Sequence, residues 1–192
     1  MVRSIVIMLL IAALAGCSGQ RERHNGQAKG SKDLSRVKVI SASAVQLLQT
    51  LRHLKAEAVV VNIWATHCPP CVAEFPDLIK LRRNYKDLDV ALVLICVDPE
   101  SNVGPVRQFL ADQGVDFPTY IRSDTDRIFI QTFDARWKGR LPATWIFDAD
   151  GTVRHFWVGR GSYEFLESKV EDVIDKGMAN IDSRLDVPHT HL

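Results

Sequence analysis

The stretch AVVVNIWATHCPPC, Ala58 to Cys71, restricts the possible folds more than any other part of the chain. Residues 58 to 64 are apolar and β-branched almost without interruption, the pattern of a central strand covered on both faces. Two cysteines three positions apart follow at the strand's end, with His67 directly in front of the first. Beyond them Cys71, Phe75, Leu78 and Tyr85 recur at helical spacing, with Arg82 and Arg83 toward solvent, so a helix is expected from Pro70 onward. Proline suits a first helical turn, where its missing N–H would have no intrahelical partner. Pro76, further in, is expected to kink the helix.

The remaining elements alternate in the same way. SASAVQLLQTLRHL (41 to 54) reads as a helix ahead of the central strand, and DVALVLICV (89 to 97) as a second buried strand. NVGPVRQFLADQG (102 to 114) reads as a helix ended by Gly114, and SDTDRIFIQTF (123 to 133) as a short helix capped by Ser123 or Asp124. ATWIFDADGTVRHFWVG (143 to 159) is a hairpin around Asp150 and Gly151. YEFLESKVEDVIDKG (163 to 177) is an amphipathic helix with Phe165, Leu166, Val170, Val173 and Ile174 on one side. No internal repeat is present. The expected organisation is one α/β domain over 37–178, with a polar tail from 179 to 192.

The chain starts with what reads as an address. Arg3 is followed by an apolar run from Ile5 to Ala15 and then Gly16 and Cys17, the order of a secretory signal. At roughly 11 residues the run falls short of the about 20 that a membrane-spanning helix needs. Leu14-Ala15-Gly16-Cys17 resembles the lipobox of bacterial lipoproteins, which implies cleavage after residue 16 and a lipid on Cys17. Residues 17–36 then form a polar tether. The expected place is the periplasmic side of a bacterial membrane, with Ser18 pointing weakly to the outer one. The 24 basic residues nearly cancel the 23 acidic ones. With no long run of one sign, no nucleic-acid partner is expected.

With Cys17 lipidated, Cys68, Cys71 and Cys96 remain in a compartment that permits disulfides. Cys96 lies within an apolar strand and reads as an inert buried thiol. Cys68, at a helix N-terminus, faces backbone N–H groups and the positive end of the macrodipole, both of which favour thiolate. Cys71, one turn further in, is expected to be more enclosed. The pair can therefore divide the work of exchange, Cys68 attacking and Cys71 resolving. A structural zinc site would need a second close cysteine pair, which the chain lacks.

VVVNIWATHCPPCVAEFPDL resembles the active-site segment of the thioredoxin superfamily, specifically its TlpA/ResA/DsbE-like branch. The similarity continues through Val97-Asp98, DFPTYIRSD (116 to 124) and LPATWIFDADGTV (141 to 153). It implies a thioredoxin-like α/β fold, a central mixed sheet flanked by helices, with an extra αβ insertion after the active-site helix. It implies a Cys68–Cys71 redox disulfide, a cis Pro142 facing it, and Leu141 offering backbone groups to a substrate chain. Trp64 matches the tryptophan of the pattern, and Glu74 an acid that tunes the thiols and relays protons. Asn62 stands where many thioredoxins carry a buried aspartate. His67 replaces the usual tryptophan before the first cysteine.

Two functions fit these residues. The first is a lipid-anchored thiol–disulfide oxidoreductase without a cofactor, reducing extracytoplasmic proteins with electrons from a membrane donor of the DsbD/CcdA type, as relatives in cytochrome c maturation do. The second is a copper carrier using Cys68, Cys71 and His67. Trp137, Lys138, Gly139 and Arg140, ahead of Pro142, read as an exposed basic loop that could line a substrate groove. His189 and His191 read as part of a polar tail.

Overall fold

A computed structural model of the protein describes residues 34–185. The leader, Cys17, His189 and His191 lie outside the described residues. Strand β2 (Ala58–Trp64) is buried along its whole length because both of its faces are covered. It pairs in parallel with β3 (Val90–Cys96) and antiparallel with β5 (Ala143–Asp148). Strands β1 (Val39–Ala42), β4 (Thr119–Arg122) and β6 (Val153–Val158) complete a mixed sheet ordered β1-β4-β3-β2-β5-β6.

The twofold alternation of β2 sorts its side chains between two cores. Ala58, Val60 and Trp64 pack with helices α2 (Pro69–Asn84), α3 (Val103–Asp112) and α5 (Tyr163–Leu185). Val59, Val61 and Ile63 face the other way, onto α1 (Ala44–His53) and α4 (Asp126–Phe133). The insertion expected after the active-site helix is α3 with β4. It returns to the sheet between β1 and β3, so β4 separates two strands that would otherwise be neighbours.

Several boundaries differ from the sequence reading. Residues 41 and 42 are strand rather than helix, because Ser43 and Gln46 form a reciprocal capping box that starts α1 at Ala44. Thr125, rather than Ser123 or Asp124, occupies the N-cap of α4. Asp124 instead accepts the Ala44 N–H at 2.6 Å, so its carboxylate serves the N-terminus of α1 across the sheet edge. Helix α2 begins at Pro69 and continues through Pro76. Helix α5 passes Gly177 and reaches Leu185, beyond the expected tail boundary; an interior glycine costs a helix only about 1 kcal/mol. Phe165 is 40% exposed rather than in the core and meets Trp157 edge-on at 5.1 Å. Arg82 is half-buried, its guanidinium 3.9 Å above the Phe117 ring. Trp137, read as part of an exposed loop, is 2% exposed; it packs edge-on against Trp145 and donates its indole N–H to the Arg140 carbonyl.

Candidate active site

Cys68 is the N-cap of α2, and the two prolines behind it decide which amides it meets. A helix start normally presents four N–H groups without helical acceptors. Here Pro69 and Pro70 have none, and the Cys68 N–H donates to the Ala65 carbonyl at 3.2 Å. Only the Cys71 N–H remains, and it donates to Cys68 Sγ at 3.3 Å. The sequence reading supposed several free amides around this sulfur; the prolines leave one. Cys68 and Cys71 are joined in a disulfide with Cα atoms 5.2 Å apart. Cys68 is 9% exposed and Cys71 is 1%, so a partner reaches the pair through Cys68.

Below the disulfide is a buried polar network. Register pairs Asn62 of β2 with Thr144 of β5, and both side chains point to the α2 side of the sheet. Asn62 Nδ2 donates to Thr144 Oγ1 at 2.9 Å and to Glu74 Oε2 at 3.0 Å. Glu74 Oε1 accepts the Gly161 N–H at 2.8 Å. Read from sequence, a glutamate in this first-turn region is most simply a solvated partner of the helix dipole, but Glu74 is fully buried one turn beyond Cys71. The participation of Thr144 and Gly161 escaped the sequence reading, because neither carries a local signature.

Burial pushes the Glu74 carboxyl above its ordinary value, against the Gly161 amide, the Asn62 carboxamide and Arg160, which all pull it down. Such a group stabilises the fold fully below its unfolded value of 4.5 and loses that contribution as pH rises through the folded value. Glu74→Gln cannot ionise. It is expected to gain stability relative to the wild type as pH rises from about 4.5, and to lose that advantage in acid. Urea unfolding at a series of pH values measures the gap, and a gap that does not change with pH would contradict the assignment.

The Leu141–Pro142 peptide is cis, and the Pro142 carbonyl accepts the Gly159 N–H at 2.8 Å. Leu141 and His67 line one groove of about 420 Å³, floored by Val97, Pro99, Phe129 and Ile130. Lys138 and Gly139 also line it, whereas Arg140 lies outside the lining. Gly139 has φ +80°, and a Cβ there would lie 2.7 Å from Ile130 Cδ1, so this wall of the groove needs glycine. Trp64 is fully buried above Phe75 and Phe109, with ring centroids 4.6 and 5.0 Å away.

His67 lies beside Asp98. Its Nδ1 lies 3.5 Å from Asp98 Oδ1, and its side chain is 74% exposed. Among the described residues no group of three His, Cys, Asp or Glu side chains is arranged to hold a metal ion. Cys96 is fully buried, and burial pushes its thiol well above the ordinary range.

A family model described as Redoxin matches residues 33–174. The chain belongs to the redoxin family. This redoxin is 31% identical over 123 residues to thiol-disulfide oxidoreductase ResA of Bacillus thuringiensis (strain Al Hakam), a match covering 64% of this chain and 67% of the relative. It is 34% identical over 103 residues to ResA of Bacillus subtilis (strain 168), covering 54% of each. Among solved structures it is similar to a thiol:disulfide interchange protein of the thioredoxin family from Chlorobium tepidum TLS. That match has a TM-score of 0.54 and 27% identity, and covers 63% of this chain and 82% of the other. The redoxin is thus a thioredoxin-like thiol–disulfide oxidoreductase similar to ResA, and Cys68–Cys71 is its CXXC pair.

Proposed function

We propose that this redoxin is a lipid-anchored reductant of disulfides in extracytoplasmic proteins, recharged by a membrane electron donor. The observation that carries the direction is the amide count at Cys68. A strongly oxidising pair is one whose reduced thiolate is heavily stabilised. Here prolines at both of the first helical positions leave one N–H for the sulfur. A buried carboxyl one turn past Cys71 adds no positive charge, and the Asp98 carboxylate offsets any charge on His67. The reduced form is therefore only modestly favoured, which is what a reductant requires.

The lipobox-like Leu14-Ala15-Gly16-Cys17 and the polar tether after it support the anchor. Among the described residues no helix is long and apolar enough to cross a membrane. The Cys68 thiolate would attack a substrate disulfide, and Cys71 would displace the product from the mixed disulfide. Leu141, whose backbone N–H and C=O find no partner among the described residues, would pair with the substrate chain.

Fractionation tests the anchor and a redox titration the direction. Wild-type protein is expected in the membrane fraction and Cys17→Ser protein in the soluble fraction. Both should equilibrate in thiol buffers with a midpoint closer to thioredoxin's, about −270 mV, than to DsbA's, about −120 mV. A midpoint near the latter would make the protein an oxidant, and unchanged fractionation of the serine variant would remove the lipid.

A further inference from the structure

Asp98 is fully buried, yet nothing in the exchange chemistry above uses it. Its Oδ1 accepts the Thr66 N–H at 3.1 Å, and its Oδ2 accepts the Thr66 hydroxyl. The same Oδ1 lies 3.5 Å from His67 Nδ1. A buried carboxylate thus grips the two residues immediately ahead of Cys68. His67 lines the same groove as Leu141, and its Nε2 has no hydrogen-bond partner among the described residues. A carboxylate holding one ring nitrogen while the other faces a reacting group is the general arrangement of an oriented acid or base.

The other charges lining the groove do not replace this one. Arg122 is paired with Asp126 and donates to the Val97 carbonyl, while the Lys138 ammonium donates to the Ala135 carbonyl. His67, directly ahead of Cys68 in the chain, is left as the groove's proton carrier.

We propose that His67 is a catalytic acid for the leaving sulfur of the substrate, with Asp98 as its positioning residue. The inference rests on the reading of the protein as a reductant. Cys68 thiolate attacks one sulfur of a substrate disulfide, the substrate S–S bond breaks, and a Cys68–substrate disulfide forms. The second substrate sulfur departs with the bonding electron pair and takes the Nε2 proton of protonated His67, leaving neutral imidazole and a free thiol. Cys71 then loses its proton and attacks Cys68 Sγ. The second substrate thiolate that this releases is protonated in turn, and the enzyme is left as the disulfide. His67 regains its proton from water. Protonation helps where the leaving thiolate is basic and does nothing where it is already stable.

The test uses full-chain protein reduced beforehand and mixed with two uncharged disulfides, bis(N-acetylcysteinamide) disulfide and 4,4′-dithiodipyridine. The first releases a basic alkyl thiolate, the second a stabilised aromatic one. For His67→Ala the initial rate with the alkyl disulfide should fall about a hundredfold, the lower end for general acid catalysis, and recover with added imidazole. The rate with the pyridyl disulfide should stay within about twofold of wild type. Asp98→Asn, which keeps an acceptor for the Thr66 amide, should show the same selective loss at about tenfold. Because His67 is exposed, its alanine variant tests the idea even if the Asp98 variant folds poorly. Equal losses on both disulfides would mean that His67 only tunes Cys68, and no loss on either would make it a bystander; both outcomes overturn the proposal. Wild-type protein that reduces neither disulfide would overturn the reductant reading, and this proposal with it.

Discussion

Cys71→Ser protein is expected to stop halfway through exchange, accumulating as a mixed disulfide with its substrate. Cys68 keeps its place at the start of α2, and the residue 71 amide still donates to its sulfur because that bond is made by backbone. Attack on a substrate is therefore preserved. The resolving thiol is gone, and a serine hydroxyl cannot displace the substrate from Cys68. Turnover should fall on the order of a thousandfold or more, as when one member of a cooperating catalytic pair is removed. Cys68→Ser should lose turnover equally and trap nothing. Non-reducing electrophoresis with mass spectrometry of the adduct separates the two variants. Adducts through position 71 in a Cys68→Ser protein would reverse the assigned roles.

Phe75→Ala should cost about 3–5 kcal/mol of folding stability. Phe75 is fully buried on the inner face of α2, one turn beyond Cys71. It stands edge-on to Trp64 at 4.6 Å and to Phe109 at 4.8 Å, joining the end of β2, the active-site helix and α3. Truncation opens a ring-sized cavity that two other aromatic rings cannot fill without leaving each other, since Trp64 and Phe109 are already in contact at 5.0 Å. Edge-to-face contacts of this kind add about 0.5–1.5 kcal/mol each beyond buried area. Urea unfolding with an unchanged slope measures the loss. A cost below about 1 kcal/mol would show that the three-ring cluster does not hold the helix in place.

Much of the site was legible because its chemistry is local. The apolar run of β2 ends at Trp64, five residues later the chain turns into a helix, and the cap of that helix is Cys68. Strand period, helical period and cysteine spacing all lie within residues 58 to 85. The hairpin was legible for the same reason. Gly151 takes φ +77°, and Asp148 Oδ1 accepts the N–H groups of Asp150 and Thr152 within one short turn.

The short strands β1 and β4 were harder to see. Each has four residues, too few for alternation to stand out from noise, and their place in the sheet follows from the pairing of β4 with both β1 and β3. The burial of Glu74 was equally hidden. On its own helix it reads as a surface acid, and it is enclosed where Asn62 of β2 and Gly161, 87 positions on, close around it.

By itself the sequence determined the longer elements and the place of Cys68 at a helix start, since each depends on residues a few positions apart. Only the tertiary structure decided that Glu74 shares its carboxylate between Asn62 and Gly161, and that His67 leans on Asp98. Those contacts join strands and loops whose adjacency is set by sheet order and register, and no local period in the chain records either.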